Sequence, residues 1–123
     1  MENAKPNAVN DKSFAFALRV VKLAKYLQEE KREFVLSKQL LRSGTAVGAL
    51  VREAEQAESH ADFIHKMAIA LKEANETVYW IDLLNQSGYI DTKGYESIYP
   101  DIQELMKLLV SIVKTAKTGA ARE

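Results

Sequence analysis

A carboxylate and a histidine in the middle of the chain have the spacing of a metal-ligand pair. Asp62 and His65 stand three residues apart in "DFIH", as the ligands of di-iron helical bundles do. Such a centre needs that pair twice, together with two further carboxylates. The chain has two histidines, His60 and His65, and both fall at the start of the same predicted helix. We therefore predict no metal site and no cofactor.

Residues for nucleophilic or hydrolytic catalysis are also missing. The chain has no cysteine, which excludes thiolate nucleophiles, thiolate metal sites and disulfides. Neither a GxSxG nucleophile motif nor an HExxH zinc motif is present. Glu73 and Glu76 are one helical turn apart, but neither has an evident acid partner. We predict no catalytic residue and no enzymatic activity.

Four helical segments must position these residues. The first begins at a capping Ser13, and its predicted core positions are Phe14, Ala17, Val21, Ala24 and Leu27. The second begins near Leu36, with a seam of Leu36, Leu40, Ser43, Val47, Leu50, Ala54 and Ala57.

The last two segments have clear start and stop signals. Ser59 caps the third, which ends near Gly88, a residue suited to a left-handed helix terminus. Asp91 or Thr92 caps the fourth, and Pro100 predicts a kink or restart within it. No strand pattern appears. We predict an all-α, antiparallel up-down-up-down four-helix bundle over residues 13–117, with a disordered or extended arm at 1–12 and a frayed tail at 118–123.

Two glycines interrupt the second segment, in "LLRSGTAVGALVREA". A helix loses about 1 kcal/mol per glycine relative to alanine, so Gly44 and Gly48 need a compensating contact. A phosphate-binding loop would need a preceding strand and a GK[ST] ending, and a membrane helix is excluded by Lys38 and Arg42. We interpret both glycines as sites of close helix packing.

The charge distribution and the composition indicate the cellular location of the protein. The net charge is zero, but cations are in excess in the first 42 and the last 19 residues, and the segment between them is acidic. No secretory signal and no apolar run of membrane-spanning length are present. We therefore predict a cytoplasmic protein without membrane contact.

Several motifs resemble a known family. "LLRSGTAVGALVREA", "DFIHKMAIALKEANET" and "GYI" are similar to four-helix-bundle proteins related to those encoded in intervening sequences of 23S rRNA genes, over residues 13–117. Where members often read Asn-Ile-Ala-Glu-Gly, this chain has Leu50 to Ala54, so Glu53 matches; Glu76 matches another recurrent glutamate. The resemblance implies a ring, frequently of five subunits. The similar accessory protein of diversity-generating retroelements is a basic ring that binds reverse transcriptase and nucleic acid.

Four charged residues beside the apolar seams have two possible interpretations. Arg42, Arg52, Glu53 and Glu76 could form a polar network that joins the second and third helices or adjoining subunits. Alternatively, all four are solvated at the helix edges.

Two adjacent aromatic residues indicate an oligomer. Tyr79 and Trp80 point about 100° apart on a helix, so they cannot face the same seam. One belongs to the core, and the other suits a subunit interface.

Two functions follow from these observations. We favour an oligomeric scaffold or adaptor, a homo-oligomer whose faces bind another protein. The alternative is an RNA- or DNA-binding accessory protein that acts through cations of the first and fourth helices. Those cations are Arg19, Lys22, Lys25, Lys107, Lys114 and Lys117.

Overall fold

Four α-helices make up the chain in the computed structural model, which describes the backbone of residues 4–122 and the side chains of residues 8–119. They are α1 (Ala4–Glu29), α2 (Leu36–Glu55), α3 (His60–Gln86) and α4 (Thr92–Arg122). No strand occurs within residues 4–122, so the all-α prediction is confirmed. No helix in that range is both long and apolar enough to cross a membrane.

The helices form a four-membered bundle in which each packs against two others. The contacts join α1 to α2, α2 to α3, α3 to α4, and α4 back to α1, whereas the diagonal pairs do not pack together. The α1–α4 seam is the thinnest of the four. Because short connections link consecutive helices, neighbours run in opposite directions. Since the helices pack in the order α1, α2, α3, α4 around the bundle, the groove between α1 and α2 lies on the opposite side from the groove between α3 and α4.

Capping residues set the boundaries of α3 and α4. Ser59 Oγ accepts the Asp62 N–H at 3.0 Å, and Asp91 Oδ1 accepts the Gly94 N–H at 2.8 Å. Gly88 follows α3 with φ of 91°, the left-handed conformation that glycine adopts without a Cβ clash. The predicted cap and stop signals of α3, and Asp91 as the cap of α4, are confirmed. α4 continues through Pro100 without a restart.

A buried carboxylate starts α2. Glu33 lies in the connection after α1, and its Oε2 accepts the N–H groups of Val35 and Leu36 at 3.1 and 2.8 Å. Its Oε1 accepts the Ser37 N–H at 2.7 Å. A carboxylate at this position satisfies free donors and interacts favourably with the positive end of the helix dipole. Glu33 thus does for α2 what a serine or aspartate does for α3 and α4.

The core consists of one apolar stripe from each helix. The α4 stripe consists of five buried residues, Ile98, Ile102, Leu105, Leu109 and Ile112. The predicted α2 seam is buried at Leu40, Ser43, Val47 and Ala54. The α3 stripe consists of Met67, Ala70, Ala74 and Ile81.

The start of α1 differs from the prediction. The helix begins at Ala4, so the expectation of a disordered or extended arm is wrong for residues 4–12; residues 1–3 lie outside the described part. Ser13 is not a cap, because it is buried within the helix and donates to the Asn10 carbonyl. The tail is also more regular than expected: α4 extends to Arg122 instead of fraying from 118.

The buried face of α1 also differs. The core receives Val9, Phe16, Val20, Ala24 and Leu27, whereas Phe14 and Val21 are 54% and 40% exposed. The helix is therefore rotated relative to the predicted stripe. Because apolar residues occupy two faces of α1, either face could have supplied the core.

Candidate functional site

The candidate metal pair does not converge on a site. Asp62 is engaged at the start of α3, where its Oδ2 accepts the Glu58 N–H at 3.3 Å, and His65 is exposed. His60 Nε2 lies 2.7 Å from the Ala116 carbonyl oxygen of α4. Within the described range, no three His, Cys, Asp or Glu side chains are placed to hold a metal ion. The absence of a metal and of catalysis remains a prediction.

Part of the predicted polar network lies across α2 and α3. Arg42 Nη1 donates to Glu73 Oε1 at 3.1 Å, and Arg42 Nη2 donates to Glu76 Oε2. Trp80 Nε1 donates to the same Glu76 oxygen at 3.0 Å. The Arg42 guanidinium, and secondly the Trp80 indole, lower the pKa of Glu76 below its ordinary value. One arginine thus connects two carboxylates on the surface between the two helices.

The other two predicted members point elsewhere. Arg52 turns toward α1, where Nε donates to Asn10 Oδ1 at 3.1 Å and the guanidinium lies 5.6 Å from the Phe14 ring centroid. Glu53 pairs with Lys66 of α3 at 3.3 Å. Glu73 and Trp80 complete the network instead. Glu73 and Trp80 lie about one helical turn before and after Glu76, and this spacing was the signal in the sequence that they could reach it.

Both glycines of α2 lie against α1. A Cβ built on Gly44 would stand 2.8 and 2.9 Å from the two Cγ atoms of Val20, a separation that real Cβ atoms do not adopt. A Cβ on Gly48 would meet the Ser13 carbonyl oxygen at 3.4 Å, which is ordinary contact. Gly44 is therefore the position where a side chain is excluded, and Gly48 lines a more open part of the same groove.

The adjacent aromatic residues differ in burial. Tyr79 is 58% exposed on the outside of α3. Trp80 is partly buried against the core, and its ring meets Tyr79 edge-on with centroids 5.0 Å apart. Of the predicted interface pair, Tyr79 is therefore the one available to a partner.

A second exposed apolar surface was missed by the sequence interpretation. Phe14, Leu18 and Val21 of α1 are between 40% and 54% exposed. Their spacing of four and three residues puts them on one face of the helix. We call these three residues the α1 stripe. The sequence prediction placed Phe14 and Val21 in the core and did not single out Leu18.

Three of the candidate nucleic-acid contacts line two different grooves. Arg19 lines the α1–α4 groove and is paired with Asp101 at 2.7 Å, and Lys22 lies near it. Lys107 lines the α3–α4 groove, on another side of the bundle. Lys25, Lys114 and Lys117 are exposed. Arg19 and Lys22 thus lie in a different groove from Lys107.

Comparison with known proteins identifies similar sequences and a similar structure. A family model described as 23S rRNA-intervening sequence protein matches residues 5–111. The crystal structure of a protein with unknown function from the S23 ribosomal protein family, from Bacteroides thetaiotaomicron VPI-5482, is 60% identical in sequence. That match covers 89% of this chain and 98% of the other, with a TM-score of 0.88. No curated protein matches the chain.

Proposed function

The chain belongs to the family of 23S rRNA-intervening sequence proteins, and from this premise we propose that it is a non-enzymatic scaffold that assembles into a homo-oligomeric ring and binds a protein partner. Five subunits is the number that the family resemblance implies. The observation that carries the proposal is the exposed α1 stripe. We also propose a cytoplasmic location, which the absence of cysteine supports.

The α1 stripe borders a recess that suits close approach of another helix. The recess has a volume of about 220 Å³, and its α2 wall contains Thr45, Gly48 and Ala49. These small side chains leave room beside Phe14, and Arg52, whose guanidinium lies over the Phe14 ring, also lines the recess. Contiguous apolar surface bordered by polar residues is typical of protein interaction sites.

A second apolar surface lies on the opposite side of the bundle. The α3–α4 groove is lined by Val78, Tyr99, Met106 and Val110, and Val110 is 43% exposed. Tyr79 follows Val78 on the outside of α3. Two different apolar surfaces on opposite sides favour a head-to-tail contact, in which one surface of each subunit meets the other surface of the next. Such contacts produce a ring when the rotation closes.

Light scattering on paired variants tests this assembly. At micromolar concentration, the unmodified chain should form a particle several times its mass of 13.8 kDa. The double variant Leu18→Glu/Val21→Glu should be monomeric, because it places charge in the α1 stripe. Tyr79→Glu should also dissociate the particle. Gln39→Glu is the matched control, since it adds an acid at an exposed position of α2 that lines neither apolar surface.

Mixing the two dissociated variants tests the head-to-tail arrangement. Each retains the surface that the other has lost, so an equimolar mixture should form a dimer of one chain of each kind. A mixture that remains monomeric would exclude a contact between these two surfaces. An unmodified chain that is monomeric at micromolar concentration would exclude the scaffold assembly altogether.

A further inference from the structure

A cleft opens at the end of the bundle where α1 finishes and α4 begins. Its volume is about 420 Å³, and its walls come from α1, the α1–α2 connection and the residues that join α3 to α4. Six of its lining residues matter for binding: Leu23, Tyr26, Lys31, Tyr89, Ile90 and Lys93. Clefts that bind small molecules generally have volumes of about 300 to 1,000 Å³, so this one has the size of a ligand site.

The cleft combines apolar and aromatic side chains. Leu23 is partly buried against the core and Ile90 is buried within it, so together they provide an apolar base. Tyr26 is 45% exposed and Tyr89 is partly buried. The ring contacts of the described residues pair Tyr79 with Trp80 and Tyr95 with Tyr99, and neither Tyr26 nor Tyr89 takes part in them. Two tyrosine rings therefore remain available for a planar ligand.

The charge in the cleft is positive. Lys31 and Lys93 line it and are exposed, and neither has an ion pair with a carboxylate in the described part of the chain. Lys12, Arg19, Arg42 and Lys66 do form such pairs. Among the lining residues, Asp91 is the one carboxylate, and its Oδ1 already accepts the Gly94 N–H. The cleft suits an anion that carries a ring, because two lysines without a carboxylate partner lie beside an apolar and aromatic wall.

We propose that this cleft binds a nucleoside phosphate, with its base against Tyr26 and Tyr89 and its phosphate between Lys31 and Lys93. Lysine amines bind phosphate through charge-assisted hydrogen bonds, and bases stack on aromatic side chains regardless of sequence. A free nucleotide and a nucleotide of an RNA strand present the same chemistry. This binding goes beyond the scaffold function and does not depend on the assembly, because every lining residue comes from one chain.

Calorimetric titration of the full chain with AMP, at about 50 mM salt so that screening is weak, tests the site. AMP should bind at one site per chain, and more tightly than either adenosine or inorganic phosphate. Lys31→Gln/Lys93→Gln should weaken AMP binding by at least about tenfold, since charge-assisted bonds are lost. Tyr26→Leu should weaken AMP and adenosine alike. The matched control, Lys72→Gln, removes an exposed cation of α3 outside the cleft and should leave the affinity unchanged.

A terminally phosphorylated oligoadenylate distinguishes the two sources of the nucleotide. Tighter binding of AMP would identify a free nucleotide as the ligand, and tighter binding of the strand would identify an RNA nucleotide, provided that the lysine double variant weakens the favoured ligand. Failure of both probes to bind would overturn the proposal. Equal weakening by Lys72→Gln and by the cleft variants would also overturn it. Circular dichroism of each variant confirms that the fold is intact.

Discussion

At the scale of single residues, Glu76 shows how one side chain can join two helices. Its carboxylate accepts from Arg42 of α2 and from Trp80 one turn further along α3. Both donors favour the ionised form, and Arg42 has the larger effect in holding the pKa of Glu76 below its ordinary value. The contact therefore stabilises the folded chain only while Glu76 is ionised.

Glu76→Gln should change how stability depends on pH. Because the pKa of Glu76 is lower in the folded chain than in the unfolded chain, its contribution is complete above the unfolded value of about 4.3. The contribution is lost as the pH falls through the lower, folded value. At neutral pH the variant should lose less than about 1 kcal/mol, because solvent screens a pair this exposed. The difference from the unmodified chain should disappear in acid, as measured by urea denaturation.

A double-mutant cycle provides the control for this prediction. Arg42→Gln removes the other partner, so the combined variant should lose less stability than the sum of the two single variants. Additive losses, or a difference between Glu76→Gln and the unmodified chain that persists in acid, would show that the Arg42–Glu76 contact does not stabilise the fold.

The sequence predicted some of these contacts from the charges of the residues, but it did not predict where each side chain points. It placed Arg42 and Glu76 in one network, and the structure joins them. It added Arg52 and Glu53, whose side chains leave in other directions, toward Asn10 and Lys66. Small rotations of a helix decide which neighbour a long side chain reaches, and the pattern of apolar residues does not fix rotation that finely.

At the scale of the helices, the α1–α2 contact depends on the absence of a side chain at one position. Gly44 faces Val20 so closely that an added methyl group would overlap it. Gly48, one turn later, faces the Ser13 backbone with room for a methyl group. Both glycines thus pack against α1, but only Gly48 leaves room for a methyl group.

Gly44→Ala should destabilise the protein by about 1–3 kcal/mol, the usual cost of overpacking a core. Gly48→Ala is the matched control and should leave stability unchanged or raise it by up to about 1 kcal/mol, since alanine favours the helix. Urea denaturation measures both values. In a Val20→Ala background, Gly44→Ala should cost less because its neighbour has been shortened. An equal loss of stability in both backgrounds would show that the strain does not arise from the contact with Val20.

The helices themselves could be predicted where the periodicity was strong and the caps were local. Ser59, Gly88 and Asp91 each act within a few residues, so their patterns mark the ends of α3 and the start of α4. The start of α1 was missed because "AKPNAVND" is largely polar and shows no apolar periodicity. Pro6 was a usable signal, since proline is tolerated in the first turn of a helix, where its missing N–H costs nothing. Glu33 was missed because it caps α2 from the preceding connection.

At the scale of the whole molecule, opposite charges largely cancel. The chain has 17 cationic and 17 acidic residues, and several cations already have acidic partners, among them Arg19 with Asp101 and Lys12 with Glu104. Of the lysines of α4, Lys107 lines the α3–α4 groove. Within the described residues, these pairs reduce the positive charge that the surface presents to a nucleic acid.

We therefore expect duplex DNA to bind weakly and with a shallow dependence on salt. A single row of Lys107, Lys114 and Lys117 could neutralise three phosphates, which gives a slope of roughly −3 in log affinity against log salt. Replacing all three by glutamine should remove that slope, as measured by fluorescence anisotropy. Replacing Lys38 and Lys72, which are exposed on α2 and α3, is the matched control and should leave the slope unchanged. A slope twice as steep would mean that rows from several subunits act together.

The thin seam between α1 and α4 has a consequence for how the chain folds. The other three seams join helices that follow one another in the sequence, so their contacts close short loops and form quickly. The α1–α4 seam joins the two ends of the chain, and Arg19 must reach across to Ser97 and Asp101 to complete it. We therefore expect this seam to form last and, because it has the least packing, to be the first to separate by local opening.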